Sequence, residues 1–219
     1  MTTALVAGAS GLVGSHLLAQ LLADPAWDRV VVLVRKQLKI ASPKLEQRPV
    51  DFDELAHVPW FPQSHDVFCC LGTTRKRAGS REAFRHVDHD YVVELAKRAA
   101  NAGADQFLVV SSLGASKASP SYYARVKAEM EEAVAAQGFG GTHIFRPAFL
   151  SGDRKESRPA ERVALAGLSA FSFALYGPLY RFRPVEADVV ARAMVRVAKE
   201  HRHGKIVYES DRIQELGKP

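Results

Sequence analysis

Gly8, Gly11 and Gly14 follow the apolar run Ala4-Leu5-Val6-Ala7 and precede an apolar-periodic stretch carrying Leu17, Leu18, Leu21 and Leu22. A strand, a glycine turn and a helix in that order leave few ways for the chain to continue. Gly8 supplies the backbone angles of a tight strand-to-helix turn, Gly11 lets main chain approach a pyrophosphate, and Gly14 lets the helix pack closely on the strand. The helix N-terminus then offers unbonded N–H groups and the positive end of a dipole to phosphate. Three close glycines alone are only a turn. A second strand about twenty residues on supplies the context in which such a turn holds a dinucleotide.

That second strand, Arg29-Val-Val-Val-Leu-Val34, ends where a carboxylate ordinarily binds the ribose 2′-hydroxyl. Here Arg35 and Lys36 occupy the place. Taken alone, a basic pair simply ends a strand at the surface. After a glycine turn it reads as a 2′-phosphate contact, because a guanidinium pairs with phosphate through two charge-assisted hydrogen bonds and a carboxylate would repel it. NADP(H) is therefore favoured over NAD(H), with Arg35 the main contact and Lys36 a helper.

A chain of 219 residues, 47% hydrophobic, buries a sizeable core as one domain spanning 1–219. Met-Thr-Thr leads straight into the first strand, which does not read as a signal peptide. Cys69 and Cys70 are adjacent, close no useful loop and read as small buried hydrophobes in a reducing compartment. Together these features predict a cytoplasmic protein. The net charge of +6 is spread along the chain in short groups such as Arg75-Lys76-Arg77, without a long tract or aromatic interleaving. Nucleic acid is thus not the expected partner, and a phosphate-bearing cofactor is anion enough. No metal-ligand set is read.

Further strands are expected at Gln47–Phe52, Asp66–Leu71 and Gln106–Val110, with a helix over about 81–102. Strands apolar on both faces and separated by helices predict an α/β fold, a doubly wound parallel Rossmann-like sheet. Ligands of such sheets bind at the carboxyl ends of the strands. Asp51 and Phe52 fall there, where the adenine would lie.

After the fifth strand, Ser111 and Ser112 are followed by Tyr122-Tyr123-Ala-Arg-Val-Lys127. Tyr123 and Lys127, four apart, share one helix face. A phenol with an ordinary pKa near 10 becomes a useful acid/base group when a nearby cation favours its anion. Lys127 is placed to supply that charge, and Ser112 to hold a substrate oxygen while Tyr123 exchanges its proton.

The combination Gly8-Ala-Ser-Gly-x-x-Gly14, Cys69-Cys-Leu-Gly-Thr-Thr-Arg75, Ser111-Ser-x-Gly-Ala115, Tyr123-x-x-x-Lys127, Phe145-Arg-Pro147 and Asp153-Arg-x-Glu-Ser-Arg-Pro159 resembles the Tat-interacting-protein family of atypical short-chain dehydrogenase/reductases. The resemblance spans most of the chain; its Cys-Cys-Leu-Gly-Thr-Thr-Arg and Asp-Arg-x-Glu-Ser-Arg-Pro segments are the family-specific ones. It implies NADPH bound by Ser10, Gly11, Leu12 and Val13 in the turn, by Arg35 and Lys36 at the 2′-phosphate, and by Leu71 and Gly72 beside the adenine-ribose half. It further implies Tyr123 and Lys127 at the nicotinamide, with Leu150 and Arg158 further along. Family members are described both as oxidoreductases and as regulatory proteins. Two departures stand out. Asp88 occupies the place of the superfamily's usual catalytic asparagine, and an ionised carboxylate only accepts hydrogen bonds. Eukaryotic members also carry a longer N-terminus, so their import-factor and transcription partners are not carried over.

The last third is where substrate choice should reside. A small cap is expected over about 150–183, before a helix running from Pro184-Val-Glu-Ala-Asp188 to about Lys199. Within it, Val163–Tyr176 is apolar but too short to span a bilayer. It reads as core packing, with a substrate wall or membrane-surface contact as alternatives. Arg158 and Arg181 are surface arginines or anion contacts, and only Arg158 has family support. The chain thus reads as a reductase acting on an unidentified carbonyl or alcohol, with a small-molecule substrate, no integral membrane segment and no partner protein indicated. The alternative is an NADPH-sensing regulatory protein with little catalysis. Nucleotide-sugar epimerase or dehydratase chemistry is disfavoured because the cap is short.

Overall fold

Side chains alternate along the inner strands, and both alternating sets are apolar. In the strand β1 (Thr3–Ala7), Ala4 and Val6 enter one core while Leu5 and Ala7 enter another; in β2 (Arg29–Val34), Val30, Val32 and Val34 divide from Val31 and Leu33 in the same way. A sheet apolar on both faces must be covered on both. The computed structural model describes residues 1–151 and 182–218, and in it helices cover each face. The other strands are β3 (Leu45–Pro49), β4 (Asp66–Cys69), β5 (Gln106–Val110), β6 (Gly141–Arg146), β7 (Leu150–Ser151), β8 (Val185–Glu186) and β9 (Gly204–Glu209). Seven form one parallel sheet in the order β3-β2-β1-β4-β5-β6-β9, and β7 pairs with β8 apart from it.

The helices are α1 (Leu12–Ala23), α2 (Arg75–Ala78), α3 (Arg81–Arg85), α4 (Tyr91–Asn101), α5 (Tyr122–Ala135), α6 (Ala187–Glu200) and α7 (Ser210–Leu216). Leu17, Leu18 and Leu21 of α1 and Val190, Met194 and Val197 of α6 close one face. Val92, Leu95 and Ala99 of α4 and Met130 and Val134 of α5 close the other. Each of these leucine, valine and methionine side chains contributes about 1.5–3 kcal/mol on leaving water. The sheet's amino edge is tied by Asp66, which accepts from Trp27 Nε1 at 2.5 Å and Gln106 Nε2 at 2.6 Å. Among the described residues no helix is long and apolar enough to cross a membrane.

The doubly wound sheet stands as expected, with shifted boundaries. β3 ends at Pro49 rather than Phe52, because the Asp51 carboxylate turns back to accept the Asp53 N–H at 3.0 Å and breaks the strand. β4 stops at Cys69. The helix expected over 81–102 is α3 and α4 joined by a π turn at His86–Asp90, a widened turn often found at functional sites. Of the expected cap, Leu150 pairs with Val185. Arg158, Arg181 and the stretch Val163–Tyr176 lie outside the described residues.

A methyl at Gly14 would lie 2.1 Å from the Gly8 carbonyl oxygen. Gly14→Ala should therefore destabilise the protein by about 1–3 kcal/mol, through overpacking, although alanine is the better helix former. Urea denaturation checks this, and an unchanged or raised midpoint would show that α1 yields easily.

Candidate cofactor and active site

The strand order reverses between β1 and β4, so their carboxyl ends open a crevice. Register fixes what faces it. Ala7 is level with Leu33 on one side and Cys69 on the other, and Cys69 is level with Val109. The glycine turn, Arg35–Lys36, Leu71–Gly72 and Ser111–Ser112 thus emerge along one edge.

In the turn, Gly8 has a φ of +85°, and a methyl there would lie 2.5 Å from the Cys70 carbonyl group. Gly11 N–H donates to Gly8 O at 2.9 Å, and Gly11 begins α1 with no side-chain cap. The first-turn N–H groups of Leu12, Val13 and Gly14 therefore have no capping side chain. With no acid in that turn and Ser10 and Gly11 exposed at its mouth, the cradle fits a pyrophosphate. Arg35 and Lys36 are exposed just past β2. Asp51 is exposed, whereas Phe52 is buried against the Tyr91 ring at 5.6 Å. Leu71 is half-buried and Gly72 exposed beside it.

Helix α5 starts at a Ser121 cap and carries Tyr123 and Lys127 on one face. Tyr123 is half-buried against Phe84, with ring centroids 5.2 Å apart. Lys127 Nζ lies 2.7 Å from Asp88 Oδ1, and the two side chains are only 4% and 1% exposed. Asp88 Oδ2 accepts the Thr73 N–H at 2.8 Å. Burial pulls the Lys127 ammonium down; the Asp88 charge, then Tyr123, outweigh that and hold it above the ordinary lysine value. Both Asp88 oxygens face donors. An asparagine would turn its NH₂ toward one of them, so the carboxylate suits this position better than the superfamily's amide. Ser112 is half-buried, and its hydroxyl donates at 3.4 Å to the Leu113 carbonyl; among the described residues it makes no hydrogen bond to Tyr123. Burial pushes the Cys69 thiol up to about 12, which leaves it a neutral core group.

Sequence reasoning passed over a second buried charge cluster. Glu131, one helical turn beyond Lys127, accepts from Arg146 Nε at 2.9 Å and Nη2 at 2.6 Å, and from the Ser111 hydroxyl. Arg146 also reaches Glu209 Oε1 at 3.0 Å. The four-residue repeat Tyr123, Lys127, Glu131 was the signal that could have found it.

Removing one member of a buried pair leaves an uncompensated charge. Asp88→Ala should cost about 3–5 kcal/mol, while Asp88→Ala with Lys127→Met should recover most of the loss. Chemical denaturation of both variants is the check; equal losses in the single and the double would mean that packing, not charge, sets the cost.

Over residues 8–201 the chain matches a family described as NAD(P)H-binding. It is 35% identical to the mitochondrial protein fmp52 of Aspergillus fumigatus, covering 99% of this chain and 95% of that protein. It is 42% identical to the protein HTATIP2 of Rattus norvegicus, covering 73% of this chain and 67% of that one. Solved structures share the fold. The Bordetella bronchiseptica enzyme WbmH, in complex with NAD+, superposes with a TM-score of 0.69 at 18% identity, over 99% of this chain and 79% of that one. The human epimerase family protein SDR39U1, with NADPH, gives 0.64 at 15%, over 95% and 74%. The fmp52 names correct the expectation of a cytoplasmic protein, since those relatives are mitochondrial and match nearly end to end. Two reduced cysteines do not tell one reducing compartment from another. On the family match and these relatives, the chain belongs to the Tat-interacting-protein family of atypical short-chain dehydrogenase/reductases, NAD(P)-binding proteins of Rossmann-like fold.

Proposed function

We propose that the chain is an NADP(H)-dependent oxidoreductase acting on a carbonyl or alcohol, in which residues 1–219 form one cofactor-binding unit and about 150–183 a substrate-side cap. One observation carries the reading: the glycine cradle, the Arg35–Lys36 pair and the Tyr123–Lys127 face gather at the carboxyl edge of one parallel sheet. When bound, the nicotinamide would supply or accept the hydride.

The chain's own groups divide the remaining work. Gly8 to Gly14 hold the pyrophosphate on the α1 N-terminus. Arg35 grips the 2′-phosphate and Lys36 adds charge. Asp51 and Phe52 border the adenine, with Leu71 and Gly72 beside the adenine-ribose half. Tyr123 passes its hydroxyl proton to the substrate oxygen in reduction and recovers it in oxidation. Lys127 holds the nicotinamide ribose and favours the Tyr123 anion. Ser112 exchanges its long bond to Leu113 O for one to the substrate oxygen. Leu150 borders the nicotinamide end; Arg158 keeps the role that the family resemblance implies.

The Asp88–Lys127 pair favours a second reading. A Lys127 ammonium whose charge Asp88 offsets activates Tyr123 less than a lone ammonium would, which suits a cofactor-sensing protein with little turnover.

Two measurements test these readings. Calorimetric titration should find NADPH bound at least roughly tenfold more tightly than NADH, with Arg35→Ala erasing the preference; equal affinities in the wild type would remove the 2′-phosphate assignment. Tyr123→Phe should lower turnover roughly 10²–10⁴-fold with NADPH binding intact. A cellular phenotype that survives that substitution would favour the sensor.

A further inference from the structure

Several arginines among the described residues have carboxylate partners. Arg29 and Arg48 meet Glu46, Arg85 meets Glu129, Arg146 meets Glu131 and Glu209, and Arg192 meets Asp188. Arg75, Lys76, Arg77 and Arg81 do not. These four cations within seven residues have no ion-pair partner among the described residues and are exposed. The nearest acid in sequence, Glu82, makes no ion pair with these cations, although the Arg81 charge, after hydrogen bonding to its own backbone and to Ser80, helps hold its carboxyl below the ordinary value.

The segment that carries them is built rather than loose. The Thr74 hydroxyl accepts the Arg77 N–H at 3.3 Å, Gly79 ends α2 with a φ of +84°, and the Ser80 hydroxyl accepts the Ala83 N–H at 3.0 Å. Arg75, Lys76 and Arg81, with Gly79 and Ser80, line an open cleft of about 450 Å³. Arg81 stacks on the Tyr122 ring at 5.3 Å, and the Tyr122 hydroxyl donates to the Arg81 carbonyl at 3.2 Å. Phe84 touches both Tyr122 and Tyr123. Arg81 is thus linked to Tyr123 through the Tyr122 and Phe84 rings. The segment that carries the cations follows Thr73, whose N–H is held by the carboxylate that pairs with Lys127.

We infer that the substrate carries a carboxylate or phosphate group and that Arg75, Lys76 and Arg81 receive it in this cleft while its reacting carbon lies beside Tyr123. The inference rests on the reductase reading above. The cofactor's phosphates are already matched by the glycine cradle and by Arg35–Lys36, which leaves this charge for a second anion. Guanidinium groups suit the task because they pair with a carboxylate or phosphate through two parallel hydrogen bonds.

Two aldehydes test it: 4-carboxybenzaldehyde and its uncharged methyl ester, methyl 4-formylbenzoate, each assayed with NADPH. The acid should show a KM at least roughly tenfold below that of the ester, and the double variant Arg75→Ala/Lys76→Ala should bring the ratio toward one. Arg81→Gln, which keeps a polar stem over Tyr122, should act in the same direction. Equal KM values in the wild type, or a ratio that the double variant leaves unchanged, overturn the anion site. If neither aldehyde is reduced, terephthalate titrated by calorimetry into the protein with and without NADP+ decides the anion site. Saturable binding that the double variant loses supports it; absence of binding overturns it. Weaker NADPH binding in the double variant would assign these cations to the cofactor and overturn the substrate assignment.

Discussion

At the carboxyl end of β1, three pieces of main chain meet with no room for a side chain between them. The Gly8 carbonyl oxygen would lie 2.1 Å from a methyl on Gly14, and the Cys70 carbonyl 2.5 Å from one on Gly8. This contact fixes where α1 begins and aims its N-terminus into the crevice between β1 and β4. Leu17, Leu18 and Leu21 then anchor the helix to the sheet and to α6. The position of every other candidate group follows from register with these strands. Arg35 lies just beyond the level of Gly8 on one side, and Leu71 and Gly72 just beyond it on the other.

The Asp88–Lys127 pair is a different kind of constraint. Two charges removed from water persist only because each oxygen of Asp88 has a donor, Lys127 on one side and the Thr73 N–H on the other. The pair joins the α3–α4 connection to both α5 and the turn after β4. It also offsets the Lys127 charge that Tyr123 feels. The aspartate that breaks the superfamily pattern is thus matched to its surroundings, and the π turn that carries it replaces regular helix where that matching occurs.

A second layer stands behind the first. Glu131 fixes Arg146 through two nitrogens and takes the Ser111 hydroxyl, which ties the ends of β5 and β6 to α5. Ser111 is thereby committed to the scaffold, whereas the next residue, Ser112, keeps only a long bond to a neighbouring carbonyl. Adjacent serines at one strand end have unlike surroundings. The difference lies in which of them faces α5.

Local patterns were legible in the sequence. Alternating apolar residues in β1 and β2 required a sheet covered on both faces; the glycine spacing required close main-chain contact; the four-residue step from Tyr123 to Lys127 placed them on one helix face. Each depends on neighbours in the chain, whose geometry the backbone dictates. The end of β3 was not legible, because the Asp51 turn competes with the strand over a few residues. What tertiary structure alone decided were contacts between distant segments: Asp88 with Lys127, Glu131 with Arg146, and Asp66 with Trp27 and Gln106. A buried charge has to find its partner in space, and that partner is set by which strands and helices lie side by side. Sequence spacing carries no record of that adjacency.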